Sequence, residues 1–258
     1  MSRDILQLSP PPGGRRIIYG DDPLQFAELR LPVGSGPFPV AIVIHGGFWR
    51  AAYNLDHTSH LCVALNDSGM ATWSLEYRRI GNPGGAYPGT FNDIEAGTSR
   101  LKTAGMEHPL DLDRAVIVGH SAGGQLALWV ASHRVLRLRG VVSLAGVSDL
   151  RRAYELKLSN SVVEDLLGGS PEQVPDRYER FSPIRLLPLG IPQRLIHGAL
   201  DPHVPFEMSA AYVAAAKAKG DDAELIPLDN AGHFELIDPR ATEFETVRKT
   251  IKSLLRPA

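Results

Sequence analysis

Short apolar runs recur along the chain with helix-compatible stretches between them, and residues 41–44 and 115–118 contain no polar residue at all. A strand with one wet face alternates apolar and polar side chains, whereas a strand that is apolar throughout needs cover on both faces. Helices between successive strands supply that cover, so the pattern predicts an α/β fold with a mostly parallel sheet and helices on both faces. Residues 16–19 and 27–31 read as two short strands around the turn sequence Gly20-Asp21-Asp22-Pro23. With 41–44, 71–77, 115–118, 140–144, 194–197 and 224–228, eight strands are expected. Helices are expected over 56–69, 92–105, 125–133, 209–219 and 241–255, the fourth ending at Gly220. Residues 148–192 separate two strands by far more than a usual connection. They read as an excursion over the active-site edge of the sheet, within a single domain spanning 1–258.

Of the 258 residues, 43% are apolar and 22% charged, which allows one sizeable core. The net charge is -2, and no basic stripe marks a nucleic-acid partner. Arg134, Arg137 and Arg139 form a small cluster that reads as solvated surface. The one cysteine, Cys62, excludes a disulfide within the chain and a cysteine-based zinc site. It sits in an apolar run and reads as a buried helix thiol, which suits a reducing compartment and makes the cytoplasm the default location. Met1-Ser2-Arg3-Asp4 is not followed by an apolar leader, and nothing approaches 18 consecutive apolar residues, so no membrane span is expected.

The chemistry begins at Gly119-His120-Ser121-Ala122-Gly123-Gly124. A strand that ends in Gly-x-Ser-x-Gly and runs into a helix lifts one hydroxyl above the sheet on a tight turn, where only glycine fits at the flanks. The serine hydroxyl is a poor nucleophile at neutral pH and needs a base, which in turn needs an orienting acid. In the chain order Ser, Asp, His, two later strand ends supply them. Asp201 closes Leu195-Ile196-His197-Gly198-Ala199-Leu200-Asp201, and His233 lies in Asp229-Asn230-Ala231-Gly232-His233-Phe234. Asp149 and Asp229 compete with Asp201 for the acid. Among the nine histidines, His203 can approach the site, His197 reads as a satisfied interior residue, and His108 and His133 read as surface.

A tetrahedral intermediate also needs fixed N–H donors for its oxyanion. Ala122 N–H is one. The loop after the third strand, His45-Gly46-Gly47-Phe48-Trp49, supplies the glycines that let a backbone come close to substrate, with His45 as a brace. With both halves in place, the chain resembles the α/β-hydrolase superfamily over nearly its whole length. The elbow and His45-Gly46-Gly47 resemble the hormone-sensitive-lipase-like esterases, which carry a third glycine where this chain has Phe48. His-Gly-Gly-x-Trp, with Leu75-Glu76-Tyr77-Arg78-Arg79 and the Gly/Pro loop after it, resembles the arylformamidase (kynurenine formamidase) branch. The elbow is also similar to prolyl-oligopeptidase catalytic domains, whose large accessory domain has no counterpart in a chain of this length. The resemblance implies Gly47, Phe48 and Ala122 as the oxyanion donors.

The expected reaction is hydrolysis of small short-acyl carboxylic esters through an acyl-enzyme, with Ser121 as nucleophile, His233 as base and Asp201 as its orienter. The alternative substrate is an N-formylkynurenine-like formamide. Neither needs a cofactor or a metal. Trp49 and Tyr87 are expected to line the substrate site, with Tyr77 and Phe91 nearby. A non-catalytic binding protein on the same fold is the reading of another class, and such proteins tend to lack a triad member. The partner is thus a small ester or formamide, with no nucleic acid and no membrane; the oligomeric state is left open.

Overall fold

The computed structural model describes residues 3–256. Met1 and Ser2, at the head of the segment read for a leader, lie outside the described residues. The sheet has the eight expected strands: β1 (Arg15–Ile18), β2 (Phe26–Arg30), β3 (Phe38–Ile44), β4 (Ala71–Leu75), β5 (Leu110–His120), β6 (Gly140–Leu144), β7 (Gln193–Gly198) and β8 (Ala223–Leu228). Their spatial order is β1-β2-β4-β3-β5-β6-β7-β8. β2 is antiparallel to both β1 and β4, and every pairing from β4 through β3 to β8 is parallel.

Side chains alternate across a strand, so a run apolar at every position feeds two cores. On β3, Val40, Ile42 and Ile44 join one core while Ala41 and Val43 join the other; on β5, Ala115 and Ile117 divide from Val116 and Val118 in the same way. The larger core is covered by α2 (Gly89–Glu107), α3 (Ala122–Ser132) and α7 (Phe206–Ala218), through residues such as Ile94, Leu101, Leu126, Trp129 and Tyr212. The other is covered by α1 (Ser59–Asp67) and α8 (Phe244–Leu254), through Leu61, Leu65, Val247 and Ile251. Cys62 is buried in that second core, and burial pushes its thiol up to about 11.

Residues 148–192 carry three short helices, α4 (Leu150–Glu155), α5 (Val162–Leu167) and α6 (Pro175–Phe181), whose buried faces join the larger core. No helix among the described residues is long and apolar enough to cross a membrane.

Candidate active site

Ser121 stands between the end of β5 and the first residue of α3, with φ 55° and ψ -120°. A serine held there costs on the order of 1–3 kcal/mol, and its peptide groups are tied down on every side. Its N–H donates to Leu144 O at 2.8 Å, and its carbonyl accepts from Gly124 N at 2.9 Å and from Gln125 N and Val147 N. A Cβ at Gly119 would overlap the carbonyl of Gly123, and one at Gly123 would overlap the carbonyls of Ile44 and His45. Those atoms are backbone on three different elements and cannot step aside. Gly123→Ala is therefore expected to destabilise the fold by about 3 kcal/mol. Denaturant unfolding measures it, and a change below about 0.5 kcal/mol, the usual surface range, would refute the crowding argument.

The loop after β3 rests on this elbow. A Cβ at Gly46 would sit 2.8 Å from His120 O and 3.0 Å from Ser121 Cβ. Gly47, Phe48 and Trp49 then follow with φ of 106°, 49° and 55°. Three consecutive left-handed residues reverse the chain sharply. The N–H groups of Gly47 and Phe48 donate to no backbone carbonyl among the described residues. Ala122 N–H belongs to the first turn of α3, where helix geometry provides no acceptor. These are the three donors that the family resemblance implied.

His45 braces the loop. Its Nδ1 lies 2.8 Å from Gly46 O, which only accepts, so Nδ1 carries the proton and Nε2 accepts from Arg79 at 3.1 Å. Burial, reinforced by the Arg79 guanidinium, holds its pKa down to about 3. Arg79 also pairs with Glu76, and Tyr77 Oη donates to His45 O at 2.8 Å.

His233 lies in the loop after β8, and its Nδ1 is 2.6 Å from Asp201 Oδ2. The Asp201 side chain is fully buried. Burial alone would raise its carboxyl, but donors from His197 and His233 and from the backbone hold it well below the usual carboxylate range. Oδ1 accepts from His203 N at 2.7 Å and Val204 N at 3.0 Å. His197 Nε2 lies 3.2 Å from Oδ2 and 3.0 Å from Val204 O, so it bears the proton, while its Nδ1 accepts from Ser209 Oγ. The carboxylate is thus saturated and points one oxygen at His233. The competing acids are engaged elsewhere: Asp149 caps α4 by accepting from Arg152 N, and Asp229 is exposed.

Ser121 and His233 line one cavity of about 150 Å³, together with Leu6, Gly47, Phe48, Tyr53, His57, His203 and Phe234. No hydrogen bond joins Ser121 to His233 among the described residues, and such bonds often tighten only once substrate is bound.

Two residues expected to line the site stand elsewhere. Trp49 is fully buried and donates from Nε1 to Gln125 Oε1 at 3.1 Å, because the left-handed turn sends its ring inward under α3. Tyr87 packs edge-on against Phe181, with the Arg177 guanidinium 4.0 Å from its ring centre, and its N–H donates to Leu166 O. Tyr77 and Phe91 are core residues. The described residues of 148–192 contribute nothing to the lining of the cavity. Leu6, Tyr53 and His57 line it instead, and the sequence carries little signal for them. Tyr53 and His57 merely continue the loop that holds the oxyanion donors, and Leu6 arrives on a short 3₁₀ turn, Arg3–Gln7.

The BD-FAE family model matches residues 29–215, more than two thirds of the chain. The chain belongs to the BD-FAE family. BD-FAE is an α/β-hydrolase family, and its match covers the elbow, the oxyanion loop and Asp201. Among curated relatives, the isoprenylcysteine alpha-carbonyl methylesterase ICME of Arabidopsis thaliana is 26% identical over 249 residues, covering 86% of this chain and 56% of that protein. Esterase LipC of Mycobacterium tuberculosis is 24% identical over 264 residues, covering 88% of this chain and 61% of that protein. The chain thus spans little more than half the length of these relatives. Among solved structures, a truncated carbohydrate esterase from gut microbiota superposes with a TM-score of 0.80 at 20% identity, covering 94% of this chain and 99% of that one. Esterase 2 of Thermogutta terrifontis, phosphonylated by sarin, gives 0.78 at 19% identity, covering 96% and 98%. Both likenesses establish that the BD-FAE chain has the α/β-hydrolase fold that its elbow and oxyanion-loop motifs resembled.

Proposed function

We propose that the chain is a serine carboxylesterase acting on small short-acyl esters. The observation that carries this reading is the shared cavity: the elbow serine and a histidine paired with a saturated, buried carboxylate open onto the same small space. His233 Nε2 takes the Ser121 proton as Oγ attacks the ester carbonyl. The carbonyl electrons move onto oxygen, where the N–H groups of Gly47, Phe48 and Ala122 receive the charge. His233 returns the proton to the leaving alkoxide, which departs as an alcohol. Water then attacks the acyl-enzyme with His233 again as base, releasing the acid and restoring Ser121. Asp201 holds the resting imidazole in the tautomer that presents a bare Nε2 and stabilises the imidazolium formed when Nε2 carries the proton. The esterase names of the relatives support the same class, and Cys62 as the single, buried thiol is the support for a reducing, cytoplasmic setting.

Cavity size sets the acyl preference. A space of about 150 Å³ is the size of a cavity that holds a benzene ring, so a short acyl group fits inside it and an eight-carbon chain must extend beyond it. Along the p-nitrophenyl series, kcat/KM is expected to fall at least tenfold, ~1.4 kcal/mol, between butyrate and octanoate. N-formylkynurenine assayed beside p-nitrophenyl acetate tests the ester reading itself: a larger kcat/KM for the formamide would replace it with an arylformamidase.

A further inference from the structure

The acyl-transfer steps make no use of the histidine that immediately precedes the nucleophile. His120 is buried at the end of β5, and its Nε2 lies 2.9 Å from the backbone carbonyl of His233. A carbonyl only accepts, so Nε2 carries the proton. Burial, with the His233 and His57 rings alongside, holds His120 well below the usual imidazole range. Its Nδ1 is therefore a bare acceptor, and it lies 2.8 Å from His57 Nε2, which must be the donor. Burial and the neighbouring His45 and His233 hold His57 down to about 3, and its buried Nδ1 has no hydrogen-bond partner among the described residues. The direction of donation is thereby set: His57 to His120, and His120 to the His233 carbonyl. The ring centres are 5.0 Å apart in the first pair and 4.5 Å between His120 and His233.

We propose that His57 and His120 are positioning residues that hold the base His233 in register with the nucleophile, a proposal that rests on the serine hydrolase reading. His233 sits in a loop with no regular structure after β8. Asp201 grips its ring, and His120 grips its main chain. Because His120 is the chain neighbour of Ser121, the second grip ties the base to the very turn that carries the nucleophile. His57 fixes the His120 ring from the other side, so that its proton stays on Nε2. Neither ring needs to touch the reacting atoms to do this.

The test is a kinetic cycle with p-nitrophenyl acetate on the full chain, using His57→Leu, His57→Gln, His120→Leu and the His57→Leu/His120→Leu double variant, with Ser121→Ala as the blank. A displaced base costs rate far more than binding, so His57→Leu is expected to lower kcat about 10- to 100-fold with KM within about twofold. His57→Gln keeps a donor where Nε2 stands and recovers most of that loss. Once His120 is leucine, adding His57→Leu costs nothing more, because His57 acts through His120. Three results would overturn the proposal: a raised KM with kcat kept, fully additive losses, or His57→Gln as slow as His57→Leu. If His57→Leu does not fold, His57→Gln decides alone, and a kcat loss beyond about tenfold, the size expected from a displaced base, rejects the relay. Activity retained by Ser121→Ala would reject the hydrolase reading instead, which separates the two failures.

Discussion

Ser121→Ala is expected to lower kcat for p-nitrophenyl acetate by about 10⁴-fold or more, leaving only what the oxyanion donors and binding provide. Alanine removes one oxygen and keeps the Cβ, so the elbow retains its shape. The N–H to Leu144 and the three bonds to the Ser121 carbonyl involve backbone only and survive the change. KM should therefore move little, and the unfolding free energy should stay within about 0.5 kcal/mol of the parent, the scale of an ordinary surface change. That combination separates loss of a nucleophile from loss of fold. A variant that kept its activity within tenfold would remove Ser121 from the mechanism, whereas a parent chain no more active than this variant would belong with proteins that use this fold for binding.

A second large effect concerns acid. Three buried histidines, His45, His57 and His120, are held neutral in the folded chain: the first two down to about 3, the third well below 6.5. Unfolded, each returns to the ordinary value near 6.5. Their folded pKa values are depressed, so the stabilisation is complete above pH 6.5 and disappears as pH falls from 6.5 towards 3. In that window the unfolded chain binds up to three more protons than the folded one, a slope of about 4 kcal/mol per pH unit. Domains have about 5–15 kcal/mol in total, so unfolding between pH 4 and 5 is expected at room temperature. Denaturant unfolding at a series of pH values measures the slope, and His57→Gln should reduce it by about 1.4 kcal/mol per unit, one proton's worth. Stability that stayed flat between pH 6 and 5 would mean that these rings exchange protons freely in the fold.

Much of this site could be read from the chain because its parts are local. The elbow is written in six consecutive residues, even though the carbonyls that crowd Gly123 belong to Ile44 and His45, and Asp201 and His233 each follow an apolar strand. The eight strands were visible in the same way, since a run apolar at every position has few homes. What escaped was direction. Trp49 and Phe48 are neighbours with the same kind of side chain, yet one is buried under α3 and the other lines the cavity. Only the left-handed turn decides that, and the glycine that begins it does not announce how far it continues. Tyr87 faces α6 for a similar reason: its partner Phe181 is far along the chain. The contact between His57 and His120 spans 63 positions, and no spacing rule connects them.

The wall of the cavity that carries Tyr53 is pinned at both ends. At one end Ala51 N donates to Ile80 O at 2.9 Å, and at the other Leu55 N donates to Glu76 Oε2 at 3.1 Å. Between these anchors, Ala52, Tyr53 and Asn54 are exposed. The acceptors of both bonds, Ile80 O and Glu76 Oε2, lie beyond the end of β4. The Tyr53 side chain is a replaceable panel: it lines the cavity without a hydrogen bond among the described residues, whereas Asn54 caps the 3₁₀ turn that carries His57, so exchange at 53, and not insertion, leaves the elbow, the base and the oxyanion loop with their hydrogen bonds. A lineage, or a laboratory, can therefore retune which acyl groups enter without rebuilding the machinery that cleaves them.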